Sequence, residues 1–144
     1  MGVDVSTEAV IARPRHEVAE IACDPDQATS WYANILAVAW KTPGPLRIGT
    51  RLEFTAKFLG RRLVYTYEVV DHVPDERFVM RTADGPFPME TTYEFEDAAD
   101  GATLMRLRNR GDPSGFAKVT APFMERAMRS ANEKDLRRLS SLLE

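Results

Sequence analysis

Cysteine and histidine are scarce in this chain: Cys23 is the only cysteine and His16 and His72 the only histidines in 144 residues. A lone cysteine excludes an internal disulfide and any cysteine-based metal cluster, and fits a reducing, cytoplasmic compartment. His16 stands between Arg15 and Glu17, and His72 precedes a Val73-Pro74 turn. Neither has a metal-ligand partner at helical or ribbon spacing, so no metal and no cofactor is expected. Charge of one sign is also missing. A formal net charge of −3 provides no field to gather nucleic acid or an anionic membrane. No stretch approaches the ~18 apolar residues of a membrane span, and no basic segment followed by an apolar run opens the chain, so neither integral membrane association nor secretion is expected. Met1 to Ser6 matches the N-myristoylation pattern, but it runs straight into strand-like sequence without a polybasic second signal, which argues against lipidation. Repeats, low-complexity tracts and linkers are absent, and 144 residues suit one domain with an ordinary core.

What is present is a run of strand-like segments followed by one long helical pattern. Val3 to Ala12 is β-rich. Pro14 suits the first turn of a short helix through Val18, Ile21 and Ala22, and Asp24-Pro25 suits the start of a second that extends towards Trp31-Tyr32. From Val38 onwards, turns at Pro43-Gly44-Pro45, Gly60-Arg61, Val73-Pro74-Asp75, Asp84-Gly85-Pro86 and residues 98–101 separate segments of period-two character, giving seven strands in all. Gly115 to Glu144 then reads as one amphipathic helix, interrupted by Pro122, with Phe116, Phe123, Met124, Ala127, Met128 and Ala131 in one sector. Such a helix would be about 40 Å long, roughly twice the length of a common strand, so it must lie along a large curved sheet. The class is α+β, with space between sheet and helix for a ligand.

Residues paired across a hairpin point to one face, so the proposed registers check one another. A Gly60-Arg61 turn of type II′ sets Phe58 opposite Leu63, Ala56 opposite Tyr65 and Phe54 opposite Tyr67. The following hairpins set Tyr67 opposite Met80, Met80 opposite Met89, Tyr93 opposite Leu107 and Phe95 opposite Met105. All of these agree on one inward face. On the outer face Glu94 falls opposite Arg106 and Glu90 opposite Arg110, which makes the arginines of the last strand a solvated ladder rather than a nucleic-acid stripe.

The inward set is rich in methionine: Met80, Met89 and Met105 on the sheet, Met124 and Met128 on the helix. Unbranched and polarisable, methionine can repack around ligands of differing shape, although filling gaps in a solid core is its commoner use. Tyr65, Tyr67, Tyr93, Thr82 and Thr91 bring hydroxyls to the same face. A buried hydroxyl without a partner costs about 1–3 kcal/mol, so these tyrosines require acceptors, water or a ligand. Trp31, Tyr32 and Trp40 form one candidate lip and Pro86-Phe87 another; ordinary packing of the short helices is the alternative for Trp31 and Tyr32.

In element order, in Trp31-Tyr32 and Trp40, in the segment Gly44-Pro45-Leu46-Arg47-Ile48-Gly49-Thr50, and in Pro122 with Asp135-Leu136 and Leu139, the chain resembles the START-like (SRPBCC) superfamily, in its polyketide cyclase/dehydrase and lipid-transport branch. The resemblance covers nearly the whole chain. It implies a helix-grip fold, a seven-stranded curved antiparallel sheet wrapped around a long C-terminal helix, with two short helices between the first two strands and an apolar cavity inside. Its members include carriers, cyclases, hydrolases and co-chaperones, so fold constrains ligand class more than chemistry.

Acid–base catalysis needs titratable groups converging on one pocket, and the inward face read from the sequence supplies none. Cys23 has no cation beside it to favour a thiolate, and Gly111 to Gly115 lacks the lysine of a phosphate loop. Binding of a small hydrophobic molecule, lipid-like or polyketide/aromatic, is therefore the leading expectation. The expected lining is Trp40, Phe54, Phe58, Tyr65, Tyr67, Met80, Met89, Thr91, Tyr93, Met105, Phe123, Met124 and Met128, enclosing at least the ~300 Å³ usual for such sites. A cyclase, aromatase or dehydratase using the tyrosines, with Asn109 assisting, is the alternative, and a co-chaperone-like interaction domain a second. Self-association as a homodimer stays open.

Overall fold

The computed structural model describes residues 2–112 and 121–144. Seven strands form one antiparallel sheet in the order β1-β7-β6-β5-β4-β3-β2. They are β1 (Val3–Ile11), β2 (Ile35–Trp40), β3 (Arg51–Phe58), β4 (Arg61–Val73), β5 (Arg77–Asp84), β6 (Met89–Asp97) and β7 (Thr103–Gly111). Between β1 and β2 lie α1 (Arg15–Ala22), a 3-10 turn (Pro25–Gln27) and α2 (Ala28–Trp31). The long helix α3 (Ala121–Leu143) packs along β1 and against α2. Thus the expected architecture is the observed one. Asp24 caps the 3-10 turn by accepting from the Asp26 amide at 3.0 Å, as its position before proline suggested.

Alternation builds the core. In β3 the inward Leu52, Phe54 and Ala56 are buried while their neighbours are not, and β6 does the same with Thr91, Tyr93 and Phe95. Bulges at Leu36 in β2 and Val70 in β4 break the ladder at the registers around them, and bulged strands bend, which helps the sheet curve around the helix.

The predicted inward face is the observed one, though three registers differ from expectation. Only the final hairpin keeps its predicted pairs, Tyr93 with Leu107, Phe95 with Met105, Glu94 with Arg106 and Glu90 with Arg110. Phe54 faces Tyr65, not Tyr67, because the turn is Leu59-Gly60. Both residues have positive φ, 52° and 75°, the signature of a type I′ turn rather than II′, with glycine in second place. Tyr67 faces Thr82, and Met80 faces Thr91. Each of these pairs is displaced by two residues, which keeps every side chain on its predicted face.

On α3 the buried side chains are Met124, Met128, Asn132, Asp135, Leu136 and Leu139. At 100° per residue this stripe is centred about 150° from Phe123, and Phe123 is accordingly 50% exposed. The expected helical residues 115–120, including Phe116, lie outside the described residues, while Pro122 falls within α3. Among the described residues no helix is long and apolar enough to cross a membrane.

Candidate functional site

Between the inner face of the sheet and α3 lies a pocket of about 120 Å³. Phe54, Phe58, Tyr65 and Tyr67 come from β3 and β4, Met80, Met89, Thr91 and Tyr93 from β5 and β6, and Met128 from α3. These nine are the sequence-predicted residues that the fold brings together. Pro86 and Phe87 complete one wall. Gly85 makes that wall feasible: a β-carbon there would lie 2.8 Å from Cβ of Tyr65, so only glycine lets the β5–β6 loop close onto that tyrosine.

Four predicted residues lie elsewhere. Trp40 donates from Nε1 to Asp26 at 2.9 Å and lines a separate depression with His16, Cys23 and His72. Met105 is fully buried in the main core, opposite Phe95 and Ala9, where side chains fill the space. Met124 belongs to a small cluster with Val3, Val5 and Met128. Phe123 faces away, for the helical reason given above. The pocket is also smaller than the ~300 Å³ expected of such a site, because aromatic side chains occupy much of the interior. Phe54 stacks on Tyr65 with ring centroids 5.5 Å apart, and Tyr65 meets Tyr67 edge-on at 5.0 Å.

Of the polar end, only Tyr32 was expected, as part of a lip. Tyr32, Asn34, Asn132 and Asp135 all line the pocket, and the expectation that the inward face supplies no titratable group for acid–base work is overturned by Asp135, which is 2% exposed. One of its oxygens accepts from the Ala33 amide at 2.9 Å. Burial pushes its carboxyl up to about 6, against the opposing pull of that amide, Arg138 and Lys134. The signal was available in the sequence, since Asn132, Asp135 and Leu139 continue the spacing of Met124 and Met128, but polar identity masked it.

Hydrogen bonds answer the tyrosines unequally. The hydroxyls of Tyr32 and Tyr93 bond to each other. Thr91 donates to Oδ1 of Asn109 at 2.7 Å, an atom that cannot donate back, so Tyr67 must be the donor in its 2.8 Å bond to Thr91. Asn109 then donates from Nδ2 to Oδ1 of Asn132 at 3.1 Å. The chain ends there, because Nδ2 of Asn132 has no partner among the described residues. Burial holds the hydroxyls of Tyr32, Tyr65 and Tyr93 well above the usual tyrosine range, so all are protonated at neutral pH. Trp31, by contrast, is fully buried and packs on Tyr32 at 4.1 Å; of the Trp31-Tyr32 pair only the tyrosine reaches the pocket.

Outside the pocket, burial and the nearby Asp75 push the Cys23 thiol up to about 12, which leaves it un-ionised and a poor nucleophile at neutral pH. On the outer sheet face Arg106, Arg108 and Arg110 each pair with a carboxylate, from Glu8 and Glu94, Asp4 and Glu90 respectively. Among the described residues no cluster of His, Cys, Asp or Glu could hold a metal ion.

No curated protein matches the chain in sequence. Solved structures match it in shape at low identity. A START superfamily protein from Mycobacterium smegmatis superposes with a TM-score of 0.83 at 14% identity, over 97% of this chain and 96% of that one. The Zhui aromatase/cyclase from a Streptomyces species gives 0.80 at 16% identity, over 99% and 94%. A protein from Thermus thermophilus gives 0.78 at 18% identity, over 96% and 94%. Such identities establish the helix-grip fold and nothing finer. In sequence, residues 2–144 match the profile of the family described as polyketide cyclase/dehydrase and lipid transport; with the fold in agreement, the chain belongs to that family.

Proposed function

We propose that the protein binds a small hydrophobic, ring-bearing molecule in the pocket between sheet and α3, with the ligand's polar group at the Tyr32–Asp135 end. The observation that carries this reading is the composition of the lining. Phe54, Met80, Met89 and Met128 supply apolar, adaptable walls, and polar groups, Tyr32, Asn132 and Asp135 among them, interrupt the lining, the pattern of a ligand site with orienting contacts. Volume sets the class. An engineered apolar cavity of ~150 Å³ takes up benzene, so about 120 Å³ suits roughly one ring rather than a fused polycycle or an extended chain. Native mass spectrometry of gently purified protein, followed by solvent extraction, tests the proposal: a bound molecule of one-ring size is expected. Protein that is always empty and takes up no such compound at millimolar concentration would refute it.

A second reading, proton transfer on a cyclisable or dehydratable substrate, is favoured by one feature. Asp135, with its carboxyl at about 6, shares the pocket with Tyr32, Tyr65 and Tyr93, and a carboxyl near neutral pKa is suited to general acid–base work. Turnover should then collapse in Asp135→Asn and fall in at least one of Tyr65→Phe, Tyr67→Phe and Tyr93→Phe. Unchanged rates in all four would exclude it.

A further inference from the structure

Polar groups at the pocket are not all paired within the protein. Tyr65 has no hydrogen-bond partner among the described residues, although its ring is held between Phe54 and Tyr67. The Tyr32–Tyr93 pair has two hydroxyl hydrogens and one bond, so one hydrogen is left over. Asn132, 4% exposed, ends the chain from Tyr67 with an unpartnered amide nitrogen. The acceptors at hand are the oxygen of Asp135 that does not receive the Ala33 amide, the side-chain oxygen of Asn34 and the lone pairs of the tyrosine hydroxyls, and none of them receives the Asn132 amide nitrogen. Whichever way the tyrosine hydrogens turn, the Asn132 amide nitrogen still lacks an acceptor and the Tyr65 hydroxyl has a hydrogen to give.

Resting on the ligand-binding reading above, we infer that the molecule held here is a single-ring compound bearing a carbonyl-type oxygen, which receives the Tyr65 hydroxyl and the Asn132 amide. A hydrocarbon of the same shape, or a purely donating group, would leave both donors unmet. Unmet buried donors are costly, so sites of this kind discriminate strongly against the analogue that lacks the matching atom.

The test compares acetophenone, ethylbenzene and 1-phenylethanol, nearly matched in shape, by calorimetric titration of the wild-type protein, Tyr65→Phe and Asn132→Leu. In the wild type acetophenone should bind about tenfold or more tighter than ethylbenzene, and its carbonyl stretch should shift to lower frequency on binding. Tyr65→Phe and Asn132→Leu should each shrink that preference, by weakening acetophenone and tightening ethylbenzene, and reverse part of the shift. Equal affinity for acetophenone and ethylbenzene in the wild type, or tighter binding of the alcohol than the ketone, would overturn the inference while leaving the binding reading intact. Failure of all three compounds to bind would overturn both. The wild-type comparison decides even if a variant does not fold.

Discussion

Replacing Asp135 by asparagine should make the protein lose less stability as pH rises from 4 to 7, by an amount the structure sets. Burial raises this carboxyl from 3.8 to about 6, so the folded state binds its proton more tightly than the unfolded chain does. Stability from this group is therefore greatest below about pH 4, falls as pH rises towards 6, and is level above it. Each pKa unit is worth about 1.4 kcal/mol, so the full loss is about 3 kcal/mol, of which about 2 kcal/mol falls between pH 4 and pH 7. Other carboxylates act with the opposite sign: Arg108 holds Asp4 below its usual value, so its contribution is lost as pH falls. The wild-type curve mixes these terms, and subtracting that of Asp135→Asn isolates the one of interest. Asparagine keeps an oxygen for the Ala33 amide and removes the charge. Urea denaturation of both proteins from pH 4 to 8 gives the difference directly. The variant should gain about 2 kcal/mol relative to wild type across that range. A difference that is flat, or that moves in the wild type's favour as pH rises, would mean that Asp135 is solvated, and the polar end of the pocket would have to be redrawn.

Two further predictions concern packing. Leu139→Ala, at a site with no exposure, should cost about 2–5 kcal/mol in chemical denaturation, whereas Phe123→Ala, 50% exposed, should change stability by no more than about 0.5 kcal/mol; similar costs at both would place the helix in the wrong rotation. Gly85→Ala puts a methyl group 2.8 Å from Cβ of Tyr65 and should destabilise by about 1–3 kcal/mol, with a loss of ligand affinity measurable by calorimetry; an alanine variant indistinguishable from wild type would show that the β5–β6 loop does not rest on Tyr65.

Most of the fold was legible because strand alternation and hairpin pairing constrain one another. The inner face survived a misplaced turn at Leu59-Gly60 because a displacement by two residues preserves side-chain direction. The bulge at Val70 was not legible, since an extra residue within a strand leaves no mark on composition. In the site, eight strand positions followed from alternation and Met128 from helical spacing. Asn132 and Asp135 did not, because burial was inferred from side-chain chemistry where helical spacing was the better guide. Trp40 and Met105 show the converse: an inward-facing residue need not border the pocket when neighbours such as Phe95 or the Pro25 turn already cover it. Neither the size of the pocket nor the direction of the Tyr67-to-Asn132 chain could be read before distances were known.

A small hydrophobic ligand that enters between sheet and helix would be reported by methionines at separate places. Met80, Met89 and Met128 line the pocket, while Met105 lies deep in the main core and Met124 in the cluster with Val3 and Val5. With methyl-labelled methionine, titration with acetophenone should shift the Met80, Met89 and Met128 signals in a saturable way and leave those of Met105 and Met124 nearly in place. Shifts confined to Met105 and Met124, or none at any methionine at millimolar ligand, would contradict binding between sheet and helix.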